Sequence, residues 1–403
     1  MAQAYHRGML RRIVLVACAL MLAACATPEP PRPVAPPPSL FEDAAFAPPR
    51  HVPDAQAVFA LSPAMRRYVE KDMAGLIRQL GRQRALVDAL HTKAQLRLEY
   101  DAELTRNAAE AFEARSGNCL SLVVMTAAMA KHLELPIAYQ VLDGHETWTR
   151  SGDLSFVNGH VNITVAKRLV DRIAAYDADL QLRLEFGSIP PGRGQALRVV
   201  DEALIVSMFM NNRAAEYLVR GAIDDAYAHA REAVRQDPGY AGAYNTLGVI
   251  YQRRGLAAAA ERAYREALAR DAGHKPGLQN LARLLRQQGR QAEAEPYEAR
   301  LAQLERDPPF AHFDRGVAAI KAGQYALGRE HILREMKRDG DYHEFHFWLA
   351  QALYGLGEVE QARRHLDSAM RNSISVRERA IYGAKLRSLE AASPEVGAAT
   401  RRN

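Results

Sequence analysis

The rhythm of apolar and polar positions changes several times along the chain. Ile13 to Ala24 is an unbroken apolar run behind Arg11 and Arg12. A run of that length is too short to span a bilayer comfortably, and its basic lead gives it the build of a signal-peptide core. Residues 26–53 have no period and hold half of the chain's 20 prolines. Proline fixes φ and lacks an amide donor, which predicts an extended, semi-rigid tether. Its expected task is to hold the folded part off a membrane surface, with recognition by a partner as the other reading. Residues 54–95 read as amphipathic helices. Leu104–Ala114 predicts a helix, and Leu120–Leu133, apolar on most faces, predicts a core helix. Gly117 and Asn118 suit the break between them. Phe156–Val165 alternates apolar and polar residues, the mark of a half-buried strand with His160, Asn162 and Thr164 on its polar face. Val170–Tyr176 predicts a second strand. A hairpin turning near Arg168 and Leu169 would set Asp177 opposite His160.

Beyond residue 206 the period lengthens. Gly221, Gly255, Gly289, Gly323 and Gly357 are each 34 residues apart. Ala226, Ala260, Ala294 and Ala362 keep the same step, with Gly328 in the fourth place; Leu247, Leu281 and Leu349 do likewise, with Arg315 breaking the column. The clearest copy is Tyr244-Asn245-Thr246-Leu247-Gly248-Val249-Ile250-Tyr251, followed by Gly255, Ala259 and Tyr264. Small residues let two helices approach, and the glycine ends the first of them. The period and this pattern resemble the tetratricopeptide repeat, a helix–turn–helix unit. The resemblance implies a solenoid that takes a protein or peptide partner, or one that only supports its neighbour.

Composition narrows the classes. The 403 residues are 48% hydrophobic and 25% charged, which excludes a disordered chain and a multi-span membrane protein. The formal charge is +6, but Arg7, Arg11 and Arg12 precede Cys25 with no acid among them. Without them the balance is weakly basic, and the remaining Lys and Arg are interleaved with Glu on helix faces; no nucleic-acid partner is expected. No HExxH, zinc-type cysteine pair or phosphate-binding GxxxxGK[ST] occurs, and no metal or other cofactor is expected. Leu22-Ala23-Ala24-Cys25 resembles the bacterial lipoprotein signal. The resemblance implies cleavage after Ala24, lipid on Cys25 and a membrane anchor. Ala26, in place of Asp, implies the outer membrane, facing the periplasm. An ordinary signal peptide with a chance cysteine is the alternative.

With three cysteines in all, Cys18 in the signal and Cys25 lipidated, Cys119 remains alone. It is either a buried apolar residue or a nucleophile. The turn Arg115-Ser116-Gly117-Asn118-Cys119-Leu120-Ser121 opens the core helix. There the helix dipole and free N–H groups favour thiolate and can stabilise an oxyanion. His160 is the candidate base, with His145 in its Asp143-Gly144-His145-Glu146 turn as competitor. Asp177 is the candidate orienting acid, with Asp179 and Asp171 competing. The order Cys, His, Asp, the Gly-Asn-Cys-Leu-Ser turn and the Gly159-His160-Val161-Asn162 strand resemble the transglutaminase-like superfamily of papain-type cysteine enzymes, from Leu96 to about Leu180. The resemblance implies Cys119 as acyl-accepting nucleophile, His160 as base and acid, and Asp177 as orienter. Trp148 and Asn118 are candidate oxyanion or site support. Tyr176-Asp177-Ala178 departs from the family's apolar-Asp-aromatic order.

The expected architecture is a signal (1–24), lipidated Cys25 with tether (25–53), an α+β transglutaminase-like domain with helical lead-in (54–206), about five all-α tetratricopeptide repeats (207–391) and a tail (392–403). The expected function is an envelope-anchored cysteine peptidase, amidase or transamidase working through a thioester. The alternative is a non-catalytic repeat scaffold for envelope protein assembly.

Overall fold

The computed structural model describes residues 35–91, 96, 98–101, 104–151, 154–168, 181–186, 196–304, 310–337, 339–373 and 376–392. Cys25 and the signal lie outside them. The tether expected over residues 26–53 stops short: single 3-10 turns form at Pro38–Leu40 and Asp43–Ala45, and Leu40 is 1% exposed. From there the segment is packed rather than free.

The lead-in is helical, as its amphipathic pattern predicts. After a 3-10 turn at Gln56–Phe59, α1 (Pro63–Arg67) opens on Ser62, whose hydroxyl accepts the Met65 N–H. A π-helical turn (Tyr68–Asp72) leads into α2 (Ala74–Leu80) and α3 (Arg82–His91). Met65, Val69 and Met73, one helical turn apart, are buried together with Leu86, Ala89 and Leu90. Gln83 ties α3 to the domain by donating to the Val165 carbonyl at 2.8 Å.

A short strand β1 (Glu99–Tyr100) precedes α4 (Ala108–Ala114) and pairs in parallel with β2 (Ser116–Gly117). Helix α4 starts later than the apolar pattern predicts, because Asn107 and Glu110 form a capping box that fixes its first turn. Asn118 caps α5 (Cys119–His132), which is buried almost throughout, as expected of a core helix. It packs on a four-stranded sheet ordered β5-β4-β3-β6, formed by β3 (Ile137–Ser151), β4 (Leu154–Ala166), β5 (Gln181–Leu184) and β6 (Ala196–Val200). All its ladders are antiparallel.

Two expectations change here. Strand β4 is not half-buried: Val161, Ile163 and Val165 are buried, and so are His160, Asn162 and Thr164. Polar residues on one face suggested solvent, but that face is covered as well. The strand expected over Val170–Tyr176 lies outside the described residues; the end of β4 pairs with Gln181–Leu184, with Gln181 opposite Ala166. His145 lies within β3, where the register with β4 shifts between Val141 and Glu146, rather than in a turn.

Five helix pairs follow. They are α6 (Glu202–Val219) with α7 (Ile223–Gln236), α8 (Ala241–Arg253) with α9 (Ala257–Arg270), and α10 (Lys275–Gln287) with α11 (Gln291–Leu304). Then come α12 (Ala311–Lys321) with α13 (Tyr325–Met336), and α14 (His343–Gly355) with α15 (Val359–Asn372); α16 (Val376–Ala392) closes the series. The five periodic glycines sit in the turns within the pairs at φ from +75° to +83°, where a side chain is strained. Helix α6 begins at Glu202, so a boundary at 207 would cut it. One apolar core runs from Leu40 through the sheet domain to Ala294, and a second spans Phe310 to Leu366. The first three repeats thus share their core with the α+β domain, whereas the last two have their own.

Candidate functional site

Cys119 occupies the first position of α5. The amide of Val161, beside His160 on β4, lies near its thiol and favours the charged form. The β5 ladder on β4 ends at Ile163, and Val161 is the next alternate amide along the strand. Helix end and strand centre therefore meet at the thiol. Loss of solvent around the sulfur pushes the thiol's pKa up, more than the amides of Val161, Leu120 and Cys119 pull it down. Around this half-buried thiol, desolvation works against the thiolate that the helix N-terminus favours.

The helix-end donors are also engaged. Asn118 Oδ1 accepts the Ser121 N–H at 2.8 Å and the Ser121 hydroxyl at 2.8 Å, while Asn118 Nδ2 donates to Thr105 Oγ1 at 2.9 Å. Asn118 is a cap with both ends of its amide committed. The Cys119 amide lies beside the phenol of Tyr100, and loss of solvent around that oxygen raises the Tyr100 pKa. Tyr100 carries no motif in the sequence; its place follows from the parallel pairing of Tyr100 with Gly117.

His160 is buried at 6% exposure. Two residues along, Asn162 lies directly across the ladder from Gln140. Asn162 Oδ1 and Gln140 Oε1 are buried and accept no hydrogen bond among the described residues. Such a pair of acceptors suits a group rich in N–H, or water. Trp148 is opposite Val157 in the β3–β4 ladder, and its side chain lies outside the described set, as does that of His145. Asp177, Asp179 and Asp171 lie outside the described residues. The structure thus brings Cys119 to the His160–Val161 strand, and the orienting acid is not placed.

A second candidate site lies on the last two repeats. Phe313, Asp314, Val317 and Lys321 of α12, Glu344, Phe347 and Trp348 of α14, and Glu378, Ile381 and Tyr382 of α16 line a cleft of about 390 Å³. Lys321 lies over the Trp348 ring at 5.6 Å, and Phe347 stacks on Tyr382 at 5.1 Å. The 34-residue step carries a signal for this cleft. Asn211, Asn245 and Gln279 give way to Phe313, Phe347 and Ile381; Asn212, Thr246 and Asn280 give way to Asp314, Trp348 and Tyr382. In the earlier repeats these positions are polar, and two of them pair, Asn280 Nδ2 donating to Asn245 Oδ1 at 2.9 Å. In the last repeats the same two columns turn mostly aromatic or apolar.

Two family models described as tetratricopeptide repeat match the chain, one over residues 280–296 and 343–368, the other over 241–270. The C-terminal half carries tetratricopeptide repeats. No curated protein matches the chain. Similar solved structures include YrrB, a tetratricopeptide protein with an unusual peptide-binding site, at 18% identity and a TM-score of 0.24, covering 44% of this chain and 92% of that one. Another is Pseudomonas aeruginosa pilF, at 23% identity and 0.27, covering 50% and 99%. A third is PilW, a type IV pilus biogenesis factor, at 19% identity and 0.28, covering 48% and 89%. Repeats of this kind are protein-interaction modules, which fits a protein or peptide partner.

Proposed function

We propose that the protein is an envelope-anchored scaffold that captures a protein segment on its last two repeats. The cleft between α12, α14 and α16 carries this reading. Phe347, Trp348 and Tyr382 offer apolar area, and Lys321, Glu344 and Glu378 supply charges of both signs to orient a peptide. The first three repeats share a core with the α+β domain and serve as its support. Leu22-Ala23-Ala24-Cys25 supports a lipid anchor at the outer membrane, and Cys25→Ser should then leave the membrane fraction.

A photo-crosslinking residue in place of Lys321 is expected to give a discrete protein adduct in cells. The same residue in place of Arg364, exposed on α15, should give none. Trp348→Ala should remove the adduct while leaving the helical content intact. Equal adducts from both positions, or none from Lys321, would refute the cleft.

The meeting of Cys119 with the His160 strand favours a second reading. In it the α+β domain is transglutaminase-like: the Cys119 thiolate adds to an acyl carbonyl, His160 returns the proton to the leaving group, and Asp177 orients the ring. Water or an amine then resolves the thioester. The family models match the repeats and not the α+β domain, which places this reading second. Cys119 is expected to alkylate slowly at neutral pH, with the same pH profile in His160→Ala. Rapid alkylation well below pH 8, lost in His160→Ala, would reverse the order of the two readings.

A further inference from the structure

Residues Leu40 to His51 lie on the first two repeats as a bound peptide does. Tyr251 reads their backbone twice: its hydroxyl donates to the Leu40 carbonyl at 2.7 Å and accepts the Glu42 N–H at 3.2 Å. Tyr227 donates to Asp43 Oδ1 at 2.6 Å and stacks on Phe46 with ring centres 3.9 Å apart and planes within 6°. Three arginines meet the two acids and the backbone. Arg262 pairs with Glu42, Arg231 donates to Asp43 Oδ2 at 3.2 Å, and Arg254 Nε donates to the Ala45 carbonyl at 3.0 Å with its guanidinium over Phe46. Further along, the Ala47 and His51 amides donate to Asp224 at 3.0 Å and Asp225 at 2.8 Å. Backbone, charge and ring are all recognised, by residues about 200 positions away in sequence.

We propose that the first two repeats form a receptor for an acidic-aromatic peptide of the pattern Leu-Phe-acid-acid-x-x-Phe, and that its resident ligand is this chain's own Leu40–His51 segment. The segment is a clasp that holds the body against the anchor end of the chain. This receptor uses α7, the end of α8 and α9, and is separate from the cleft on the last two repeats. It does not depend on what that cleft binds. A partner displaying the same pattern competes with the clasp.

The test uses the full chain with a protease site inserted between Val52, which is 77% exposed, and Pro53. After the cut, the N-terminal piece is expected to stay with the body through gel filtration. A synthetic peptide spanning Pro38 to His51 should displace it. Phe46→Ala lies in the released piece and leaves the body unchanged. It should speed loss by about tenfold, the worth of one well-stacked aromatic. Arg262→Glu should loosen the clasp, and Glu42→Arg in the same chain should restore it. Immediate loss of the wild-type piece would overturn the proposal. So would equal retention of the Phe46→Ala piece, or failure of the charge exchange to restore what Arg262→Glu loosens.

Discussion

Glu335→Ala is expected to cost the last two repeats about 3 kcal/mol, the scale of a buried, charge-assisted hydrogen-bond cluster. Glu335 is 3% exposed on α13 and accepts the N–H groups of Phe310 at 3.0 Å, His312 at 3.0 Å and Phe313 at 3.2 Å. These are the free donors at the start of α12. Phe310, which precedes that helix with φ of 63°, makes no side-chain cap of its own. The carboxylate of the second helix therefore caps the first. Removing it leaves buried donors unpaired. Because Phe310 to Leu366 form a separate core, the loss should stay local. Hydrogen exchange should accelerate over residues 310–337 and not over 241–270, with Glu335→Gln intermediate. Unchanged protection in α12 would show that the cap carries no stability.

The period that reveals the repeats also marks this exception. Glu335 stands in the column of Ala233, Ala267 and Ala369, where a charged residue is out of place unless it has a specific partner. Gly328, in place of the periodic alanine, has the same kind of reason. A Cβ there would come within 2.4 Å of Ile320 and 3.2 Å of the Gly316 carbonyl. The glycine turns were legible because a left-handed residue leaves a type-specific mark. The capped core helix and β4 were legible because their apolar patterns differ in period.

Other features depend on contacts that no local pattern encodes. The proline-rich segment looks like a spacer by composition, and Tyr227, Tyr251 and Arg254 look like ordinary repeat residues; only their meeting makes a clasp. The polar face of β4 looked solvated because alternation reports polarity, not what covers it. The Cys119 environment was half legible. The turn placed the thiol at a helix start, but the loss of solvent that raises its pKa and the Val161 amide near it come from long-range packing.

Acid is expected to weaken the last repeats by as much as about 3 kcal/mol between the unfolded and folded pKa values of one histidine. Burial lowers His343 from 6.5 to about 4. Its Nδ1 lies 3.0 Å from the Tyr382 hydroxyl, and Glu378 lies 3.5 Å from Nε2, an ion pair only once the ring is protonated. Desolvation nevertheless dominates. Because the folded pKa is the lower one, the unfolded chain takes up the proton first. The contribution is complete above about pH 6.5, falls as the pH drops, and levels off below about 4. His346 and His365, with Nδ1 atoms 2.9 Å apart, are also lowered by burial and act in the same direction. Tyr382 and Glu378 line the cleft, so partner capture should weaken over the same range. Carboxylates titrate there as well, which makes the difference between wild type and His343→Gln the informative measurement. The variant should show a shallower acid slope in denaturant melts between pH 4 and 6.5. Parallel slopes would mean that His343 remains open to solvent protons in the folded protein.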